Sequence, residues 1–252
     1  MVHLAALPGA PAFGGDLSAV TAAAVRDAAA LVEGGVDALM LENFGDVPFF
    51  PGRVPAVTVA AITAVAAEVR RRAAGVPLGI NVLRNDGLSA LAVAVAVGAE
   101  FIRVNVLCGA RVADQGVLQG IAHDLLRARA ALGAAGAAVR ILADVDVKHS
   151  AALAARPMAD EVEDTLHRGL ADCLVVSGAG TGKATDAGKV RAVKAAAGEA
   201  PVLVGSGVTA ATVAELLAIA DGVIVGTALK RGGVAGNAVD VRRVRELVRA
   251  AR

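Results

Sequence analysis

Residues 141–150 read ILADVDVKHS, an apolar strand pattern interrupted by Asp144, Asp146 and Lys148. A strand covered on both faces is normally a continuous apolar run, and ionisable groups inside one must be matched, hydrogen bonded or solvated. Side chains alternate along a strand, so the spacing sets the three charges on one face and Val145 and Val147 on the other. In the preceding strand-like run, 100–106, Arg103 and Asn105 share a parity that brings Arg103 against Asp144. For that pair a buried structural ion pair and a role in a site are both open readings. Asp146 and Lys148 lie nearer the strand end, where a lysine among carboxylates can act as electrophile, proton donor or Schiff-base nucleophile. Asp146 and Glu42 are candidate proton shuttles. The candidate catalytic set is therefore Lys148, Asp146, Glu42 and Asp144. Asn81, Arg84, Arg103, Asn105 and His149 are the candidate substrate-orienting residues.

These side chains need a scaffold that brings distant segments to one rim. Short apolar runs recur at 2–7, 36–43, 77–83, 100–106, 140–147, 172–178, 201–207 and 221–227, separated by Ala-rich segments of helical periodicity such as 17–33, 57–72, 118–132 and 209–219. Four junctions share one grammar, EGGVDALML, AVGAEFIRV, RGLADCLVV and AIADGVIVG, in which a helix ends at small residues, an acid follows and an apolar strand begins. Alternating strands and helices require parallel crossovers. Eight such units in 252 residues predict one (β/α)8 TIM barrel spanning residues 1–252, with the open doubly wound sheet as its rival. Barrel chemistry collects at the C-terminal strand ends. Glu42, Asn81, Arg84, Arg103, Asn105, Asp146, Lys148 and His149 fall there, whereas the opposite ends offer little beyond Asp37, Glu100, Asp172 and Asp221.

After the seventh and eighth runs stand Gly205, Ser206 and Gly207, and then Gly226 and Thr227. Glycines admit close approach of backbone N–H groups to an anion and the hydroxyls add donors, so these turns are the candidate phosphate site; plain tight turns are the alternative. The segment SGAGTGKAT contributes Ser177, Gly178, Gly182 and Lys183 as a second anion contact or a lid. It is one residue short of the spacing a nucleotide P-loop needs between its glycines.

Composition narrows the partners. A net charge of +1, no Trp, no Tyr and five Phe remove the footprint and the stacking platforms of nucleic-acid binding. The C-terminal arginines, Arg242, Arg243, Arg245, Arg249 and Arg252, read as a solvated helix face. At 56% apolar and 19% charged residues the chain is globular, and its longest uncharged apolar runs fall short of the ~20 residues of a membrane helix. With no secretory leader evident and only Cys108 and Cys173, the expected compartment is the cytoplasm, without a disulfide framework or zinc cluster. No cofactor is required by any spacing, although Glu42, Asp46, Asp86, Asp144 and Asp146 supply oxygen ligands of the kind magnesium or manganese takes. His123 and His167 read as surface residues, and the Ala-rich helices would permit a homo-oligomer.

The strings HLAALPGAP, ENFGDVPF, NVLRND, FIRVNV, ADVDVKH, SGAGTGK and ADGVIVGTALKRGG together resemble the BtpA family, also called the BtpA/SgcQ family, from His3 to about Asp240. The resemblance implies a phosphate-binding barrel of the ribulose-phosphate-binding type, a small phosphorylated ligand such as a sugar phosphate, and isomerase, epimerase or lyase chemistry. It also carries an association with photosystem I biogenesis, which implies the alternative of a binding scaffold without turnover. ENFGD, LRND and DVKH are the matching segments that carry the candidate residues.

Overall fold

The computed structural model describes residues 1–178, 180 and 184–252. Its strands in chain order are β1 (Val2–His3), β2 (Leu39–Glu42), β3 (Leu78–Asn81), β4 (Phe101–Val104), β5 (Ala110–Ala113), β6 (Gly116–Gln119), β7 (Arg140–Val145), β8 (Ser150–Ala152), β9 (Cys173–Ser177), β10 (Val202–Gly205) and β11 (Gly222–Ile224). Eight of them, in the order β1-β2-β3-β4-β7-β9-β10-β11, form one parallel sheet with helices between, the topology of the TIM barrel. The first and last strands meet without a hydrogen-bonded ladder. The Met1 nitrogen donates to the Val225 carbonyl (2.9 Å), and a Cβ built on Gly226 would lie 2.9 Å from His3 Cε1, so only glycine lets the seam close this tightly.

The other three strands, in the order β6-β5-β8, form a small antiparallel sheet. Helical periodicity over 118–132 predicts none of it, and the helix there begins only at Ala122. Residues 117–119 instead alternate, with Leu118 buried against Val106 and Val147 and its neighbours exposed, and that two-residue period decides for strand. The helix expected over 209–219 is also shorter, Val213–Leu217, because Thr209 N turns to the Thr212 hydroxyl (3.1 Å). The helices Leu17–Gly34 and Ala56–Arg72 occupy their predicted positions.

The inward-facing residues are layered. Met40, Leu142, Cys173 and Val175, with Met1, Phe101, Leu203 and Ile224 against them, form an apolar floor. Gly79 leaves the space that the Phe101 ring fills; a Cβ there would stand 2.0 Å from Cε2. Two residues further along the same strands the interior becomes polar: Glu42 follows Met40, Asn81 follows Gly79, Arg103 follows Phe101, Asp144 follows Leu142 and Ser177 follows Val175. The large core lies outside the sheet, where Leu41, Ile80, Ile102, Ile141 and Val204 face apolar helix stripes such as Leu31, Ile62, Val65 and Leu91.

A buried ion pair anchors the segment after β11. Lys230, 1% exposed, places Nζ 2.5 Å from Asp27 Oδ2 on the helix Leu17–Gly34, and Asp27 Oδ1 accepts from Val239 N (2.8 Å). Removing one partner leaves the other buried and unmatched, whereas replacing both leaves an apolar contact. Lys230→Met should therefore lower the unfolding free energy by about 3–5 kcal/mol, and the double substitution Lys230→Met with Asp27→Leu should recover most of it. Urea unfolding of the three proteins checks both.

Candidate functional site

The polar layer is built by strand register. His3 pairs with Glu42, Glu42 with Asn81 and Asn81 with Arg103, so four polar side chains stand in one row across β1, β2, β3 and β4. Each is held. Asn81 Nδ2 donates to Glu42 Oε2 (2.6 Å), and His3 Nε2 lies 3.9 Å from Glu42 Oε1 with its ring stacked on Phe44 at 4.4 Å. Arg103 grips Asp144 with both arms, Nε to Oδ1 at 2.9 Å and Nη2 to Oδ2 at 3.0 Å, and Nη2 also donates to Ser177 Oγ (3.3 Å). Asn105 Nδ2 donates to the same Asp144 Oδ2 (2.8 Å). The parity of 100–106 and 140–147 predicts that contact of Arg103 with Asp144.

Beyond Val145 the alternation fails. Asp146 and His149 adopt left-handed backbone, φ 51° and 56°, so Asp146 leaves the face that Asp144 and Lys148 use. Its carboxylate is gripped by Arg111 and by Lys189 Nζ (2.6 Å) and lines a separate cavity of about 190 Å³ beneath the small sheet. The expectation that Asp146 shares a face with Asp144 and Lys148 is thus corrected, for two reasons the strand pattern does not contain: the turn that ends β7 and the arginine on β5. Lys148 returns to the mouth, and its ammonium has no hydrogen bond or ion pair within 4 Å among the described residues.

Lys148, Glu42 and Arg103 line a cavity of about 570 Å³ together with Ser206, Gly207, Gly226 and Thr227, so the glycine turns after β10 and β11 open onto the same space as the charged interior. Ser206 and Gly207 both take left-handed backbone, φ 69° and 68°. Arg243, read from its spacing as one of a solvated face, also lines this cavity and donates to the Ala228 carbonyl (3.0 Å). Helix periodicity marks that residue as exposed but cannot show that the exposed side overhangs a barrel mouth. Ser177 sits in the interior against Arg103 and Gly178 is buried, while Gly182 and Lys183 lie outside the described residues.

The carboxylates named as oxygen ligands do not converge. Asp46 accepts from Leu7 N (2.8 Å) and Asn43, and Asp86 caps the helix Gly87–Val97 through Ser89 while accepting from Val54 N (2.8 Å). Among the described residues no group of three or more His, Cys, Asp or Glu side chains is placed to hold a metal ion.

Burial and charge set the protonation states. Burial pushes His3 down to about 4, against the opposing pull of Glu42, so its ring is neutral near pH 7. Burial alone would raise Glu42, but His3, Lys148, Arg103 and the Asn81 hydrogen bond outweigh it and hold the carboxyl below its usual range. With His3 neutral, Lys148 and Arg103 are the cations that do this near pH 7. Burial lowers Lys148 despite Glu42, and Arg103 lowers it further. In Arg103 the same burial is more than offset by Asp144, which raises its pKa.

The sequence model of the BtpA family matches residues 1–252. The uncharacterised protein TK2179 of Thermococcus kodakarensis is 46% identical over 252 residues, covering 100% of this chain and 94% of its own. The photosystem I biogenesis protein BtpA of Synechocystis is 44% identical over 250 residues, covering 99% of this chain and 86% of its own. Among solved structures, N-(5'-phosphoribosyl)anthranilate isomerase from Pyrococcus furiosus superposes with a TM-score of 0.55 at 16% identity, over 89% of this chain and 92% of that one, a likeness of fold.

The His3 shift has a thermodynamic consequence. A base whose pKa falls from 6.5 unfolded to about 4 folded binds fewer protons in the native state, so stability is full above pH 6.5 and declines as pH falls towards 4. The decline is on the order of 3 kcal/mol for a shift of this size. Chemical unfolding followed from pH 7 to 4 should show that slope, and His3→Gln should flatten it.

Proposed function

Because the chain belongs to the BtpA family, we propose that it is an enzyme that takes a small phosphorylated metabolite, a sugar phosphate, and moves a proton on it, chemistry of the isomerase, epimerase or lyase kind. The observation that carries this reading is one cavity shared by two glycine turns and by Lys148, whose ammonium has no hydrogen bond or ion pair among the described residues. The phosphate would rest on backbone N–H groups of Ser206, Gly207 and the Gly226–Thr227 turn, with Arg243 closing over it from the C-terminal helix. That anchor would fix the carbon skeleton over Glu42 and Lys148.

Glu42, ionised and oriented by Asn81, is the base that would take a proton from the carbon beside a carbonyl. The Lys148 ammonium would donate to the carbonyl oxygen as negative charge grows there, and Glu42 would return the proton to the neighbouring carbon. Asp144 would not exchange protons in this scheme; it holds Arg103, whose free edge and the amide oxygens of Asn81 and Asn105 would meet substrate hydroxyls. The lowered Lys148 also suits it to a Schiff base in a lyase reaction. A ligand of this kind is a cytoplasmic metabolite.

The name of the Synechocystis relative points to photosystem I biogenesis, and a scaffold role would use the outer surface. A cavity at the barrel mouth, floored by a buried, hydrogen-bonded polar row, supports a ligand site instead. No helix of the described residues is long and apolar enough to cross a membrane.

A thermal-shift panel of inorganic phosphate and sugar phosphates, run beside turnover assays, tests the proposal. Phosphate and at least one sugar phosphate should raise Tm, and Arg243→Ala should weaken phosphate binding about tenfold, the loss of one charge-assisted contact. Lys148→Met should reduce turnover about 10²–10⁴-fold while phosphate still binds. The rate should fall on the acid side below the ordinary glutamate value of 4.5 and on the alkaline side below the ordinary lysine value of 10.5. Failure of every phosphate compound to bind rejects the reading.

A further inference from the structure

Glu42, Arg103 and Lys148 also wall a second cavity, of about 380 Å³, on the side of the loops after β2 and β3. The two spaces therefore meet at the reacting groups, with the glycine turns at the far end of one and a different surface at the far end of the other. Phe44, Phe49, Val47 and Leu83 supply one wall of the second chamber, and Arg84, Asn105, Asp114, Gln115 and His149 supply its polar side.

Arg84 is unlike the other buried cations. It is 3% exposed, and Nη2 donates to the Lys148 carbonyl, but Nε has no partner and no carboxylate stands within 4 Å among the described residues. The carboxylates near enough to be felt are already engaged or remote. Asp144 is gripped by Arg103 and Asn105, Glu42 is bonded to Asn81, and Asp114, an exposed residue at the rim of the same chamber, is more than 4 Å from Arg84 and bonded to Gln115. Arg103, Arg111 and Lys230, the other buried cations, each have a carboxylate in contact. A buried guanidinium without a counter-charge is unfavourable, and it persists where an anion supplied from outside completes it. The nearby Lys148 ammonium, without an ion pair among the described residues, adds to the positive potential of the chamber.

Resting on the phosphate reading of the first cavity, we infer that the substrate carries a second acidic group, a carboxylate or a second phosphate, at the end remote from its first phosphate, and that Arg84 receives it in this chamber. A ligand held at both ends would lie with its central carbons over Glu42 and Lys148. Arg84 is then a specificity residue, separating doubly acidic phosphates from neutral sugar phosphates of the same length.

The test compares glucitol 6-phosphate, 6-phosphogluconate and fructose 1,6-bisphosphate with inorganic phosphate on the full chain, by calorimetry. At least tenfold tighter binding of 6-phosphogluconate or the bisphosphate than of glucitol 6-phosphate is expected, and whichever gains more identifies the group as carboxylate or phosphate. Arg84→Met should abolish that preference while inorganic phosphate and glucitol 6-phosphate bind as before, and Arg84→Lys should keep part of it. Should Arg84→Met fail to fold, the wild-type preference and Arg84→Lys decide. Equal affinity of the three organic probes in the wild type, with inorganic phosphate bound, overturns this inference alone. Loss of binding by inorganic phosphate as well overturns the phosphate reading and this inference with it.

Discussion

The interior of this barrel is organised around the bidentate pair of Arg103 and Asp144. Two full charges inside the curled sheet survive because they are matched and hydrogen bonded: Asp144 accepts from Arg103 twice and from Asn105, and Arg103 reaches Ser177 as well. That arrangement ties the side chains of the neighbouring strands β4, β7 and β9 together on the inner face of the sheet. It also fixes the field in which the neighbouring groups titrate, since Arg103 bears on both Glu42 and Lys148. The pair neutralises itself, so it leaves the reactive charges to Glu42 and Lys148, which do not touch one another.

A side-chain period of two, repeated on every strand, converts this into a layered object. Phe101, Met40, Leu142 and Val175 exclude water below, and the residues two positions on present polar groups above. The glycine turns then stand at the rim because β10 and β11 end there, and the turn after β11 is held down by the Lys230–Asp27 pair rather than by the sheet. Barrel floor, charged row and glycine turns are thus three levels of one stack, each positioned by a different kind of interaction: dispersion and apolar burial, matched charge, and a loop anchored to an outer helix.

Much of this order is legible in the chain. Eight apolar runs between Ala-rich periodic segments specify the barrel, and the parity of Arg103 with Asn105 and of Asp144 within its run specifies their contact. The glycine turns are visible as composition at strand ends. What escapes is set by non-local geometry. Asp146 continues the alternation in sequence, yet left-handed backbone at that residue turns it to Arg111 and Lys189, neither of which any local pattern connects to it. The small sheet of β5, β6 and β8 is hidden because a four-residue strand beside a helix merges with the helical period. Arg243 is indistinguishable by spacing from Arg242 or Arg249, and only the packing of the last helix against the rim gives it a place in the cavity wall.

The contrast between Asp146 and Lys148 shows how a barrel separates structural charge from available charge. They are two residues apart in a run that alternates cleanly, and both are ionisable at the mouth. One lies at a turn where two cations converge on it, and matched in this way its charge has little left to offer a ligand. The other stands among groups whose counter-charges are already engaged, partly withdrawn from water and without a partner among the described residues, so an incoming electron-rich atom is its natural complement. Arg84 repeats the pattern on the neighbouring loop. Where a fold has matched almost every interior charge among its described residues, the few cations it leaves open mark where an anionic ligand would be received, and on the proposed reading that ligand would extend from the glycine turns towards Arg84.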